Sequence, residues 1–461
     1  MERIYKMAKV VVVWLAERVS LEGGAGRIKG ALEKLVREAE FMGYFEDVKT
    51  DSDAAWTIRL RFRESLQNLV ASNKTLLPWL ESIFSNEYWR RVWTAQEFAF
   101  GQRVLIQCGE LSMNVQVLER VNALICDTAG DFIDPRRSPS MVRGFVDQNT
   151  PVTVESVLIF DEWSRTIGLL QDPNISYRID LRKEVLRSGE GGSKKIYLYT
   201  LLVENSMALA TKPVDKVFSL VNLATNCTLK ADYSARLYEV CAKMTKYLID
   251  ELGSLEPLRF GRGERSDAEK GFPSWCPNWS LTHSNWERRL FGKFSCSGST
   301  RPENSASLAL NELTAHGIVL GRVQCCASID GGSTEAGKSD DEILAECVQH
   351  GLCPSEPCDE DYESYERRGT YGDALMEVLT LENRVMQARE GDVTVNSIHI
   401  ARIGRPILFK MDKGYVGRAF DKVTEGDLVC ILKGSKAPCI LKRKGKYWEY
   451  VSQAYGKATA L

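Results

Sequence analysis

The chain has 461 residues, with 60 Lys and Arg against 62 Asp and Glu and a formal net charge of −2. This length predicts roughly two to four domains, and the balanced charge gives no sign of a nucleic-acid-binding protein. The longest apolar run, Val10–Ala16, is far shorter than the about 20 residues that span a bilayer, and no secretory signal precedes it. We therefore expect a cytoplasmic protein without a membrane span.

The front of the chain predicts an α/β arrangement. Four consecutive valines at positions 10–13 predict a strand that is covered on both faces, as in a parallel sheet. Residues 28–42 carry an apolar stripe at helical spacing. The preceding Gly23-Gly24-Ala25-Gly26 lacks the Gly-x-x-x-x-Gly-Lys-Ser/Thr pattern of a phosphate loop, so a plain loop is the simpler interpretation.

A tryptophan-rich segment follows at residues 86–100, before a short strand at 104–107. Trp89, Val92, Trp93 and Gln96 are spaced i, i+3, i+4 and i+7, which predicts one face of a single helix. We expect Trp89 and Trp93 to be buried against the strand at Val10–Leu15. Strand, helix and strand in this order are typical of a doubly wound sheet.

The remaining chain divides into three predicted regions. Residues 111–195 are interpreted as a helical insertion or linker, 196–300 as a helical region, and 301–461 as β-rich with an acidic helical insertion near 332–397. Asp215 is predicted to cap a short helix, and Asp232 or Ser234 to cap the start of a longer one that ends at Gly253. In the tail, short apolar runs with Gly and Lys turns predict a small half-open antiparallel barrel over 404–456, packed on residues 310–323, with Gly426-Asp427 as one turn.

The 13 cysteines are odd in number and scattered, unlike a secreted disulfide framework. Cys347, His350, Cys353 and Cys358 cluster in sequence, but the absence of a Cys-x2-Cys pair favours reduced thiols over zinc. Cys325 and Cys326 are interpreted as core thiols. The four histidines form no nucleophile–histidine pattern, so we predict neither a metal nor a hydrolase triad.

The segment Tyr-Trp-Arg-Arg-Val-Trp-Thr-Ala-Gln-Glu at 88–97 resembles the signature of fungal heterokaryon incompatibility (HET) domains. Residues 4–15, the stretch Lys212–Leu220 with Asp232-Tyr233-Ser234, and Pro-Ser-Trp-Cys-Pro-Asn-Trp-Ser at 273–280 resemble further family segments in the family's order. A weaker match lies at 426–456. The residues that match the family motif are Trp14, Trp89, Arg91, Trp93, Gln96, Glu97, Asp215, Trp275 and Trp279.

The resemblance implies an α+β protein. Its N-terminal α/β part, residues 1–110, would be a HET-domain remnant of Toll/interleukin-receptor-like (TIR-like), flavodoxin-like type, followed by a helical middle and a small C-terminal antiparallel β domain. The family's upstream strings "YxALSYxWG" and "LWIDAICINQ" do not occur in the sequence. On that ground we expect a domain that lacks its N-terminal half.

The function implied is fungal non-self recognition, in which the protein signals programmed cell death through contacts with other incompatibility or signalling proteins. Trp286 and Trp448 are candidate contact residues or local core residues. The alternative is a TIR-like NAD glycohydrolase, with NAD as substrate, no cofactor and Glu97 as the catalytic residue, whose activity the missing N-terminal half would impair. The TIR glutamate follows a tryptophan in "WCxxE", and Trp93-Thr94-Ala95-Gln96-Glu97 offers the related pattern Trp-x-x-x-Glu, with Thr94 in place of the cysteine. Glu97 could equally be a structural carboxylate paired with Arg90, Arg91 or a backbone amide.

Overall fold

The computed structural model divides into two compact units, Met1–Cys227 and Thr228–Leu461. It describes residues 2–16, 25–41, 65, 76–123, 173–189, 195–225, 227–261, 270–281, 295–302, 309–329, 340–353, 361–363, 368–370, 378, 407–419 and 421–456. Gly23, Gly24, Cys358, Trp286 and the predicted loop around residues 134–139 lie outside this described part.

The first unit combines three strands with helices in its described part. The strands are β1 (Val11–Ala16), β2 (Val104–Cys108) and β3 (Leu111–Asn114). The helices are α1 (Glu2–Met7), α2 (Ala25–Phe41), α3 (Leu76–Phe84), α4 (Glu87–Arg90), α5 (Thr94–Phe100), α6 (Pro173–Gly189), α7 (Leu198–Glu204) and α8 (Asp215–Val221), with a further helical stretch at 115–123.

The sheet of the first unit has the order β1-β2-β3. Strand β1 runs parallel to β2, with Val11 opposite Val104, and β3 returns antiparallel to β2. The predicted strand and its parallel pairing are confirmed. The prediction that both faces of β1 are covered is wrong: Val13 on one face is buried, whereas Val12 and Trp14 on the other are 53% and 58% exposed.

One hydrophobic core explains this one-sided burial. The inward side chains of the three strands join a single cluster with residues of α2, α3, α4, α5 and α6, including Val36, Trp79, Trp89, Phe98 and Ile179. Because strand side chains alternate between faces, helices gathered on one face leave every second residue of β1 facing outward.

The second unit joins a helical part to a β barrel. Its helices are α9 (Leu237–Leu252), a 3-10 turn (Glu256–Phe260) and α10 (Asp340–Gln349). Its strands are β4 (Gly317–Ser328), β5 (Asp361–Glu363), β6 (Arg368–Thr370), β7 (Ile407–Met411), β8 (Val416–Ala419), β9 (Leu428–Leu432), β10 (Cys439–Lys444) and β11 (Tyr447–Gly456).

Helix α9 ends where the sequence predicts but begins differently. Gly253 follows it in the left-handed conformation with φ 59°, which glycine adopts without steric cost. At the start, the cap is Arg236: the Glu239 carboxylate accepts from the Arg236 backbone N–H at 2.9 Å. Asp232 instead accepts from the N–H and hydroxyl of Ser234 in a turn before the helix. The prediction of Asp232 or Ser234 as cap is therefore wrong.

The barrel is closed, with strand order β10-β11-β8-β7-β4-β9 and β9 hydrogen-bonded back to β10. The antiparallel tail is confirmed, including the Gly426 turn with φ 87° and the pairing of the tail with β4. The prediction of a half-open barrel is wrong. The long strand β4 pairs with β7 on one side and with β9 on the other, and this double pairing closes the barrel. Closure pairs both edges of every strand in the barrel.

The acidic insertion contributes α10, whose Ile343 and Cys347 are buried with Leu352, Leu408 and Val416 in one apolar cluster. Burial raises the pKa of Cys347 to about 12, so this thiol is neutral at ordinary pH. Cys325 and Cys326 are half-buried against the barrel clusters. Cys353 is disulfide-bonded, so the prediction of a reduced thiol is wrong at this position.

Candidate functional site

The tryptophan-rich segment forms two short helices, so the prediction of one continuous helix is wrong. Helix α4 ends at Arg90 and α5 begins at Thr94. Between them Arg91 is extended, with φ −78° and ψ 132°. Its backbone forms a parallel bridge with Leu209, and the Val92 N–H donates to the Leu209 carbonyl at 2.9 Å. A strand-like contact to a distant residue therefore breaks the helix, and sequence spacing contains no signal for it.

Trp89 is the buried centre of this segment. Its ring stands edge-on to Phe98 at 5.3 Å and to Tyr88 at 5.0 Å between ring centroids. Its Nε1–H donates to the Ile83 carbonyl at 2.6 Å. Both the apolar ring and its polar edge are thus satisfied inside the core, which is the ordinary condition for a buried tryptophan. Burial of Trp89 is confirmed.

Trp93 and Trp14 do not share that environment. Trp93 stands at the N-cap position of α5 and is half-buried, so the prediction of a buried Trp93 is wrong. The helix break at Arg91 turns Trp93 off the Trp89 face. Trp14 points outward from β1. These two are the motif tryptophans of the first unit that solvent reaches.

Gln96 and Asp215 belong to a contact between α5 and α8. The buried Gln96 amide donates to the backbone carbonyl of Ser219, which fixes α5 against α8. Asp215 is the first residue of α8, after Val214 at the N-cap position, and the cap makes no side-chain hydrogen bond. The prediction that Asp215 caps the helix is wrong by one residue, although an acidic group in the first turn still suits the helix dipole.

Two arginines of α6, Arg178 and Arg182, donate to backbone carbonyls of the motif segment. The sequence analysis predicted neither contact. Arg178 is fully buried and donates to Asn205 Oδ1 at 2.7 Å and to the Arg91 carbonyl at 3.1 Å. Burial lowers its pKa to about 10, although Tyr177 and Tyr88 oppose the shift. One of its donors thus satisfies a backbone carbonyl in the break between α4 and α5.

Arg182 acts one turn further along α6. It donates to the Phe98 carbonyl at 2.9 Å, to the Gly101 carbonyl, and to the Gln102 carbonyl at 3.2 Å. A cation on the last carbonyls of α5 satisfies acceptors that the helix end leaves open and complements its dipole. The i, i+4 spacing of Arg178 and Arg182 beside Ile175 and Ile179 was the available signal. The basic, loop-like flanks of this helix obscured it.

Glu97 is half-buried on α5 and faces two tyrosines. The Tyr5 hydroxyl of α1 donates to its carboxylate. Burial first, and then the charge and hydrogen bond of Glu97, raise the pKa of Tyr5 to about 12. Burial and the same carboxylate also raise the pKa of Tyr88. The Tyr88 hydroxyl is buried and makes no hydrogen bond to any described group. The structure thus places one carboxylate beside two neutral phenols.

Trp275 and Trp279 lie in the second unit, where both are buried. The Trp279 Nε1–H donates to Thr245 Oγ1 at 3.0 Å, and its ring meets Phe260 edge-on at 5.8 Å. The Tyr450 N–H of β11 donates to Ser274 Oγ at 2.8 Å. Within the second unit, this motif therefore joins α9 to the barrel.

Within the described residues, no group of three or more His, Cys, Asp or Glu side chains could hold a metal ion. None of the helices in that part of the chain combines the length and apolar character needed to cross a bilayer.

Comparison with known proteins identifies one relationship. Residues 1–97 match the family model described as "Heterokaryon incompatibility protein (HET)". The match ends at Glu97 and includes β1, α4 and the motif tryptophans of the first unit, so the resemblance is confirmed over this stretch. No curated protein and no solved structure matches the chain.

Proposed function

Because residues 1–97 match the heterokaryon incompatibility family, we propose that the chain is a fungal non-self recognition protein. In this proposal it signals programmed cell death in the cytoplasm by binding other incompatibility or signalling proteins. The binding surface is the outer face of β1. Catalysis is not required.

The observation that carries this proposal is the exposure of Trp14. It belongs to the family-matched segment, yet 58% of it faces solvent, next to Val12 on the same face of the strand. Exposed tryptophans are common energetic centres of protein interfaces. Val12 and Trp14 gain little from facing water, whereas a partner that covers them gains apolar burial.

The proposal is also supported by the packing of the inner face of β1, which holds the strand rigidly. On the opposite face, Val13 packs in the core that contains Trp89, and Arg182 fixes the end of α5. A contact residue on a rigid element loses little conformational freedom when it binds, which favours affinity.

A growth-arrest assay in a fungal host tests the proposal. Trp14→Ser in the full chain should abolish arrest at equal expression, because it removes the aromatic contact without touching the core. The matched control is Leu186→Ser, which removes an exposed apolar side chain from α6 in the same unit and should keep the wild-type phenotype. Full arrest with Trp14→Ser would contradict the proposal.

A second candidate function is NAD cleavage at Glu97, and the Glu97 cluster favours it over other enzymatic functions. A carboxylate held by Tyr5, beside a Tyr88 hydroxyl that makes no hydrogen bond to any described group, could hold ribose hydroxyls and stabilise an oxocarbenium-like centre as nicotinamide leaves. Tyr5 would position Glu97, and Tyr88 would donate to the substrate.

Incubation of the purified full chain with NAD, followed by chromatography for nicotinamide, tests this candidate. An enzyme would release nicotinamide in proportion to protein, and Glu97→Gln would stop the release while Glu87→Gln, an exposed acid in α4, would not. The contact proposal predicts no release above the protein-free control.

A further inference from the structure

The hairpin that joins β10 to β11 extends beyond the barrel wall. β10 pairs with β9 only over Cys439–Leu441, and β11 pairs with β8 only over Ala454–Gly456. Residues 442–449 pair only with each other among the described residues, with Lys442 opposite Glu449 and Lys444 opposite Tyr447. They form a two-stranded ribbon, which we call the β10–β11 tip.

The tip is strongly cationic and carries aromatic side chains. Its residues are Lys442, Arg443, Lys444, Gly445, Lys446, Tyr447, Trp448 and Glu449. Four cations against one carboxylate give a formal charge of +3, in a chain whose overall formal charge is −2. Glu449 offsets only one of these cations, Lys444, whose Nζ lies 3.3 Å from its carboxylate oxygen.

The two aromatic side chains of the tip are exposed to solvent. Tyr447 is 51% exposed and Trp448 is 42% exposed. The Lys446 ammonium lies 5.0 Å from the Tyr447 ring centroid, and Arg443 is the cross-strand neighbour of Trp448. Each aromatic ring therefore has a cation beside it.

We propose that the β10–β11 tip docks the protein onto a membrane surface rich in anionic phospholipids. Aromatic rings with an apolar body and a polar edge settle at the depth of lipid headgroups. Lys and Arg beside them are attracted to the negative surface potential of acidic lipids. This is peripheral docking, which needs no spanning helix.

The geometry favours a lipid surface over a protein or nucleic-acid partner. Tyr447 and Trp448 are consecutive in a strand, so they point to opposite faces of the ribbon. A peptide or a single-stranded nucleic acid contacts one face of such a ribbon and leaves the other aromatic in water. Lipid headgroups surround an inserted tip, so Tyr447 and Trp448 on opposite faces, and the cations Lys446 and Arg443 beside them, contact the same surface.

Co-sedimentation of the full chain with vesicles provides the first test. Binding to vesicles that contain phosphatidylserine should exceed binding to pure phosphatidylcholine vesicles. Because one cation near an anionic surface changes binding about fivefold, the double variant Arg443→Gln/Lys446→Gln should bind roughly 25-fold more weakly. The matched control Lys413→Gln/Lys422→Gln removes two exposed cations elsewhere on the barrel and should bind like wild type.

Tryptophan fluorescence tests the role of the aromatic residue. Phosphatidylserine vesicles should shift the emission to shorter wavelength, and Trp448→Ser should remove this shift and weaken sedimentation while far-ultraviolet circular dichroism stays unchanged. Equal binding to both vesicle types, or loss of binding in the Lys413→Gln/Lys422→Gln control alone, would overturn the proposal. Tighter binding to single-stranded RNA or to an acidic peptide than to the anionic vesicles would also overturn it. None of these readouts depends on the proposed role of Trp14 or Glu97.

Discussion

The sheet of the first unit and the barrel of the second unit differ in how many neighbours their strands have. In the described residues the sheet is open, with β1 bonded to β2 alone, and it leaves Val12 and Trp14 in solvent. The barrel is closed, so each of its strands has two neighbours. An open sheet retains an edge that can bind another chain, whereas a closed one does not. The contact that we propose uses the outward face of β1, which carries Val12 and Trp14.

The two regions also differ in what satisfies their buried polar groups. In the first unit Arg178 and Arg182 reach across from α6 to backbone carbonyls of the motif segment. In the barrel, the strands pair with one another along their backbones, and the buried Asp427 carboxylate accepts from the Thr424 N–H in the turn before β9. Loss of one side chain should therefore disturb the first unit more than the barrel.

The largest effect is expected for Trp89→Ala. Removal of a fully buried tryptophan should lower the free energy of unfolding by about 3–5 kcal/mol. Trp14→Ala, in the same unit but on the exposed face, should change it by less than about 0.5 kcal/mol. Urea unfolding followed by circular dichroism measures both. Equal losses for the two variants would contradict the one-sided burial of the sheet.

The next largest effect is expected for Arg182→Met. This change should lower the free energy of unfolding by about 3 kcal/mol, because three backbone acceptors near the end of α5 lose their donor. Hydrogen exchange should accelerate in peptides from residues 94–108 and stay unchanged in residues 439–456. Arg187→Met, an exposed arginine of the same helix, serves as control. Unchanged exchange in residues 94–108 would show that Arg182 does not stabilise the segment.

In the barrel, Asp427→Ala should lower the free energy of unfolding by only about 1–2 kcal/mol. The buried carboxylate accepts from the Thr424 N–H at 2.9 Å and from its hydroxyl at 3.1 Å, but the ladders on both sides of β9 remain. Glu425→Ala changes an exposed acid in the same turn and should be neutral. A loss for Asp427→Ala as large as that for Trp89→Ala would remove the contrast between the two regions.

The smallest effect concerns the phenols beside Glu97. Glu97→Gln should lower the pKa of Tyr5 from about 12, because the negative charge contributes to the upward shift. Titration of tyrosine carbon resonances by nuclear magnetic resonance, with Tyr5→Phe for assignment, measures it. An unchanged Tyr5 titration would contradict the contact.

The same phenols predict a pH dependence. Folding raises the pKa of Tyr5 from 10.0 to about 12, so the stabilisation is fully present below pH 10 and is lost as pH rises through 12. Tyr88 shifts in the same direction. The free energy of unfolding should therefore fall above pH 10, and Tyr5→Phe should make this fall shallower. An equally steep fall in the variant would exclude Tyr5 as its cause.

Local pattern predicted the strands and turns well, because alternation, glycine turns and apolar runs depend on neighbouring residues. Strand β1, the Gly253 helix end and the Gly426 turn follow from such signals. The break at Arg91 and the clamp by Arg178 depend on Leu209 and on α6, far away in sequence. Helical spacing alone therefore placed Trp93 wrongly on the Trp89 face. The contact between Tyr5 and Glu97 was missed for the same reason, since it joins the first helix to residue 97.

In the function that we propose, the protein acts through contacts with other proteins rather than through catalysis. The most direct measurement is growth arrest in a fungal host that expresses Glu97→Gln in the full chain, with expression and folding matched to wild type. Glutamine keeps the shape of the side chain and removes its charge, so a contact mechanism at Trp14 predicts undiminished arrest. Loss of arrest in Glu97→Gln would contradict the account and favour NAD cleavage at Glu97.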